Sequence, residues 1–208
     1  MKKTSELQLY LSVTAVVAFV VSNIISVKQI ALPFGFVVPA AVIVFPVTYI
    51  LSDVFSEVYG YRWSRITCYM SFLCNITAVG IFALTIVLRA PDYWTQQDAY
   101  KSVLGASVRT LAASMLAYVL GDFANDNIFK HMKEKHAERG FGLRAILSSF
   151  AGEFVDSLVF VPVAFYGLMP NKTLATMIIV QPLLKVAYEI IILPLTVAVV
   201  KKVRALEQ

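Results

Sequence analysis

Residues 7–27 read LQLYLSVTAVVAFVVSNIISV, twenty-one consecutive positions without a charged side chain. At about 1.5 Å of rise per residue, a helix of that length spans roughly 30 Å, the thickness of the hydrocarbon core of a bilayer. The run is too long for the apolar region of a secretion signal, and no small-residue cleavage pattern follows it. Five further apolar runs fill most of the chain, over about 33–58, 66–88, 104–129, 141–168 and 173–200. In 208 residues they leave no room for a separate soluble catalytic domain. The composition agrees, with 59% hydrophobic and 15% charged residues and a mean hydropathy of +0.74. A soluble domain is nearer 45–50% apolar and about 25% charged. Lipid admits only helices or closed barrels, and these runs do not alternate with period two. The expected fold is therefore all-α, a single membrane domain over 1–208 with six transmembrane helices.

The net charge is +5. In a soluble chain that excess would suggest nucleic acid as a partner, but here topology accounts for it. Lys2, Lys3, Arg62, Arg65, Lys130, Lys133, Lys135, Arg139, Arg144, Lys201, Lys202 and Arg204 put 12 basic residues on one side of the membrane. Lys28, Arg89, Lys101 and Lys172 put four on the other. The positive-inside bias predicts that both termini are cytoplasmic. Cys68 and Cys74 read as inert thiols in an apolar stretch, and His131 and His136 have no partners at metal-ligand spacing. There is no nucleophile with a matched base, no glycine-rich phosphate loop and no charge ladder. Neither a cofactor nor an enzymatic activity is expected. The sequon Asn75-Ile76-Thr77 lies inside a span and carries no glycosylation signal.

Ionisable groups inside a span cost roughly 2.5–3.5 kcal/mol each on insertion scales, and they mark functional sites by default. Glu153 and Asp156 lie three apart on one helical face, Asp122 and Asp126 four apart, and Lys185 and Glu189 four apart. Glu153 lies roughly 18 Å and Asp156 roughly 22 Å from the cytoplasmic end of the fifth run, and Lys185 roughly 18 Å from the outer end of the sixth. Glu153, Asp156 and Lys185 are thus expected to line one polar cavity near the midplane. Asn23, Gln181, Asp122 and Arg109 are further candidates. Asp53 and Glu57 fall at the cytoplasmic end of the second run. Any one of these charges could simply pair across two helices. The set needs another reason, because helices associate in lipid through small residues without buried charge. Pro182, three residues before Lys185, can free a carbonyl and bend the helix beside the site.

Several segments resemble the queuosine-precursor transporters, also called the vitamin uptake transporter family. The most distinctive is Ser52-Asp53-Val54-Phe55-Ser56-Glu57-Val58-Tyr59-Gly60. Ser22-Asn23, Phe45-Pro46, Arg109, Ala113-Ser114, Ala117-Tyr118, Gly121-Asp122, Gly152 to Asp156, Lys185 and Pro194 follow in the expected order over nearly the whole chain. The resemblance implies a six-helix, multi-pass protein of the cytoplasmic (inner) membrane that imports the 7-deazaguanine bases preQ0 and preQ1 for tRNA modification. The sequence departs from the family pattern at two points. Asp122 stands where a Gln follows the fourth-span glycine, and Gln181 stands where some members carry Asp before the lysine.

The chemistry fits such a ligand. A guanine-like edge offers N1–H and an exocyclic amine beside the acceptor O6. A carboxylate accepts both donors at once, and a lysine or amide donates to O6. Glu153 or Asp156 opposite Lys185 or Gln181 supplies that pattern. Phe150, Phe154, Phe160 and Tyr188 are candidates for an apolar slot around a flat base. The expected partners are a small-molecule base and the lipid bilayer, with a homodimer compatible with so small a bundle and no nucleic acid. Two other classes fit the same composition. One is the substrate-binding subunit of an energy-coupling-factor vitamin transporter, which needs a partner membrane subunit and ATPases. The other is a membrane enzyme, which the acidic pairs support only loosely.

Overall fold

The computed structural model of the chain describes residues 5–136 and 141–207. Lys2, Lys3 and Arg139 therefore lie outside the described residues, as do the side chains of Asp126, Lys130, Lys133, Lys135 and Arg144. The helices are α1 (Glu6–Ile25), α2 (Phe45–Val54), α3 (Tyr61–Val87), α4 (Gln97–His136), α5 (Phe141–Phe165) and α6 (Asn171–Leu206). Strands β1 (Gln29–Ala31) and β2 (Val37–Pro39) form a hairpin between α1 and α2. Among the described residues, Glu6–Ile25, Tyr61–Val87, Gln97–Ala124 and Asn171–Leu206 are long and apolar enough to cross a bilayer. The protein is an all-α, multi-pass membrane bundle.

The side chains are distributed for lipid rather than water. In α3 the buried positions are Thr67, Ser71, Asn75 and Val79, one every fourth residue and mostly polar. The exposed positions of the same helix include Leu73, Ile76, Ile81 and Leu84. In α1, Gln8, Ala18 and Asn23 are buried while Leu9, Val13, Val17 and Val21 form an exposed stripe. In water this arrangement would be inverted. In hydrocarbon the apolar stripe costs nothing, and polar groups turn inward to find partners.

The second apolar run departs from the expected continuous helix over 33–58. It holds part of the hairpin, two short 3-10 turns, the ten-residue α2 and a π-helical turn over Phe55–Tyr59. The reason lies in its prolines and glycines. Pro33 and Pro39 have no N–H to give a helix, and Phe34 and Gly35 both adopt positive φ at the hairpin tip. At the far end Gly60 takes φ 84° and ψ 165°, a region open essentially to glycine alone. That conformation stops the π turn and starts α3, which explains the glycine that closes the Ser52–Gly60 motif.

The chain divides into two compact units. The first comprises Met1–Gln29, Pro39–Val108 and Ala187–Gln208. In it α1 packs on α2 and α3, with Phe19 and Phe72 edge to face at 5.0 Å. Its ends are tied at one oxygen. Glu207 Oε1 accepts from Ser5 Oγ at 2.5 Å and from the Tyr59 hydroxyl at 2.9 Å. Arg204 Nη2 donates to the Glu57 carbonyl at 3.0 Å and lies 3.5 Å from its carboxylate. The second unit comprises Ile30–Val38 and Arg109–Val186. Its core is Ala113, Val161, Ala164, Phe165, Leu174 and Met177.

Candidate functional site

Within the second unit, the α5 sequence places Glu153, Asp156 and Ser157 on one face, at spacings of three and four. Gln181 and Lys185 lie four apart on α6. The two faces meet. Lys185 Nζ donates to Asp156 Oδ2 at 2.6 Å and lies 2.6 Å from Glu153 Oε2. The two carboxylate contacts differ in kind. The Asp156 contact has hydrogen-bond geometry, whereas the Glu153 Oε2 contact, equally short, is not aligned for a hydrogen bond. Side-chain exposure is 12% for Lys185 and 28% and 27% for the two acids, so the cluster is mostly withdrawn from the surface. Ser157 Oγ and Gln181 Oε1 are buried without partners, on the same helical faces as the ion pairs. Of the three groups expected at one depth from the sequence, both acids are therefore within ion-pair distance of the lysine.

Close helix approach makes this possible. A Cβ built on Gly121 of α4 would lie 3.0 Å from the Gly152 carbonyl oxygen and 3.2 Å from the Asp156 Cβ. Only a glycine lets α4 come that near to α5 without displacing the segment that carries Glu153 and Asp156. Asp122, the next residue, is half-buried and has an interaction of its own.

Other sequence candidates go elsewhere. Arg109 donates from Nε to the Val163 carbonyl at 2.5 Å and from Nη2 to the Tyr166 carbonyl at 2.7 Å. It satisfies the last carbonyls of α5 and complements the negative end of that helix. Asn23 belongs to the first unit, where its amide meets Asn75 and Ser107. Asp53 and Glu57 are exposed, and Glu57 takes part in the tie to Arg204. Phe150 and Phe154 lie on the exposed face of α5, while Phe160 packs edge to face on Phe165 at 5.8 Å. Sequence reading missed Ser157, Ser107 and Asn75. The signal for Asn75 was present as a polar stripe with Thr67 and Ser71 at four-residue spacing in an apolar helix.

A family model described as "Putative vitamin uptake transporter" matches residues 39–199, well over half of the chain. The chain belongs to the vitamin uptake transporter family. That is a family of membrane transporters and not a class of enzymes. The match takes in α2 to α5 and most of α6, and so both faces of the charged cluster. A protein of Bacillus subtilis (strain 168) named "Probable queuosine precursor transporter" is 23% identical over 187 residues, covering 89% of this chain and 81% of that protein. No solved structure gives a significant match.

Proposed function

We propose that this transporter imports queuosine precursors, the 7-deazaguanine bases preQ0 and preQ1, and that Glu153, Asp156 and Lys185 are the centre of its binding site. The observation that carries this reading is the meeting of two carboxylates and one lysine at 2.6 Å inside an apolar helix bundle. The name of the Bacillus subtilis relative supports the substrate class. Lys185 is shared between two acids, so a ligand can exchange for it at one of them. Glu153 is the acid to release it, because its contact lacks a hydrogen bond. The freed carboxylate accepts N1–H and the exocyclic amine of the base. Asp156 keeps Lys185 in place to donate to O6, and the Gln181 amide, one turn earlier on α6, is a second donor. Asp122 borders the site, Arg109 fixes the end of α5, and Asn23 contacts the solute elsewhere along its route. Around this centre the chain forms one domain of six spans in the cell inner membrane, with both termini cytoplasmic and a homodimer as its assembly. Reporter fusions at Gln208 test the orientation, and a periplasmic score there would overturn it.

The deciding experiment is uptake of labelled preQ0 and preQ1 by cells unable to make queuosine precursors. Cells carrying the gene should accumulate label in a host without energy-coupling-factor partners, and equal uptake with and without the gene would refute the reading. Glu153→Gln keeps the side-chain shape but replaces one acceptor oxygen with a donor. Leaving a ligand donor unmatched costs about 1–3 kcal/mol, roughly a five- to 150-fold loss of affinity. Wild-type affinity in a folded Glu153→Gln protein would remove Glu153 from the ligand shell.

A further inference from the structure

The first unit buries a second polar cluster, and this one carries no charge. Asn23 of α1, Asn75 of α3 and Ser107 of α4 meet with residual exposures of 5%, 1% and 0%. Asn23 Nδ2 donates to Asn75 Oδ1 at 3.1 Å and to the Ser107 carbonyl at 3.4 Å. Three atoms at this point have no hydrogen-bond partner: Asn23 Oδ1, Asn75 Nδ2 and Ser107 Oγ. Two facing primary amides can exchange two hydrogen bonds, and here they exchange one. A buried polar atom left unmatched works against the fold. Three of them, on three different helices, gather at one place. Helix packing in lipid does not need such groups, since small residues suffice.

The unmatched atoms define what would match them. Asn23 Oδ1 is a pure acceptor, the Asn75 amide nitrogen a pure donor, and the Ser107 hydroxyl can act as either. Without a counter-charge the cluster disfavours an ion. It suits a neutral edge in which an N–H stands beside a carbonyl or ring nitrogen, as in a lactam or a nitrogen heterocycle. We propose that Asn23, Asn75 and Ser107 form a second binding station for the transported solute, one that takes its neutral donor–acceptor edge. Asn23 Oδ1 accepts the ring N–H, Asn75 donates to the neighbouring acceptor, and Ser107 completes the contact. This inference rests on the reading of the solute as a 7-deazaguanine base, whose ring N–H stands beside a ring nitrogen on one edge and beside a carbonyl carbon on another. It assigns Asn75 and Ser107 to solute recognition together with Asn23. The cluster is closed to solvent in this structure, so a solute held there is occluded.

The test uses the fact that the unmatched atoms make no hydrogen bond that holds the fold. Ser107→Ala removes a hydroxyl with no intramolecular partner, and Asn75→Leu, in a side chain of similar size, removes the unmatched amide nitrogen together with the oxygen that accepts from Asn23. Purified wild-type and variant proteins are compared by thermal unfolding and by calorimetric binding of preQ0 and preQ1. Ser107→Ala should be at least as stable as the wild type and bind at least fivefold more weakly, and Asn75→Leu should lose at least tenfold in affinity. Should Asn75→Leu fail to fold, Ser107→Ala alone decides. Wild-type affinity in folded Ser107→Ala overturns the proposal. So does a Ser107→Ala protein that loses stability while its affinity is unchanged, the mark of a site for structural water. A wild-type protein that binds neither base removes the 7-deazaguanine reading and this station with it, whereas binding by the wild type and equally by the variants removes the station alone.

Discussion

The two buried polar clusters solve the same problem in opposite ways. On α5 and α6, the carboxylates of Glu153 and Asp156 each lie 2.6 Å from the ammonium of Lys185, so every ionisable group has a partner of opposite sign. On α1, α3 and α4, Asn23, Asn75 and Ser107 are neutral groups that leave three atoms unmatched. Burying an unpaired charge costs far more than burying an unpaired amide, so the charged cluster must be closed by its own members while the neutral one can stay open. The charged cluster should therefore hold the fold together as well as bind, whereas the unmatched atoms of the neutral one should serve binding at some cost to the fold.

The largest effect should come from the charged side of that contrast. Lys185→Met retains length and apolar volume but strands two carboxylates. Removing one member of a buried ion group typically costs 3–5 kcal/mol. The lower end, about 3 kcal/mol, is expected here because the two acids are only partly buried. Thermal unfolding in detergent would show it, and restoring charge balance with Glu153→Gln in the same chain should recover part of the loss. A Lys185→Met protein as stable as the wild type would break the contrast, since the lysine would then hold nothing.

Next comes the contact that aligns the charged cluster. Gly121→Ala gains about 1 kcal/mol of helix propensity. Against this, its methyl group would meet the Gly152 carbonyl at 3.0 Å and the Asp156 Cβ at 3.2 Å. Those are backbone and near-backbone atoms that cannot rotate away, and overpacking of that kind costs about 1–3 kcal/mol. The clash should win by about 1 kcal/mol, with a disproportionate loss of binding because α5 carries both acids. Unfolding and preQ1 binding measured on one preparation would separate the two effects. A stabilised variant with unchanged affinity would mean that α4 does not set the position of Asp156.

The contrast also explains what the sequence made legible. Charges in a span announce themselves, and helical rise alone put Glu153, Asp156 and Lys185 at compatible depths. Asn75 was signalled only by the polar stripe it shares with Thr67 and Ser71, and Ser107 was silent, because a lone serine occurs in membrane helices for many reasons and only packing shows which lie inside. The long helices followed from apolar run length. The region 33–58 did not, because its composition is as apolar as a span while Pro33, Pro39 and the positive φ of Phe34 break the helix locally. Arg109 was legible as a buried charge but not as a cap, since its partners are the Val163 and Tyr166 carbonyls, which no side-chain pattern encodes.

The smallest effect concerns the tie at the ends of the first unit, where one half-buried charge meets two hydroxyl donors. Burial, followed by the hydrogen bond to Glu207 and that carboxylate's charge, pushes the Tyr59 hydroxyl up to about 12 from its ordinary 10.0. A raised value means that the protonated, donating form is the one the fold favours. Its contribution is therefore complete below pH 10 and is lost as the pH rises from there through about 12. Tyr59→Phe deletes this donor but leaves Ser5 on the same Glu207 oxygen at 2.5 Å. A single hydrogen bond to a partly exposed carboxylate is worth about 0.5 kcal/mol, because water can replace the lost donor. The variant should thus melt slightly below the wild type, by the same margin at pH 6 and pH 9, and the two curves should converge above pH 10. A margin that changes between pH 6 and pH 9 would show that another group controls the tie. A margin as large as that of Lys185→Met would mean that the exposed end, and not the buried ion cluster, holds the bundle together.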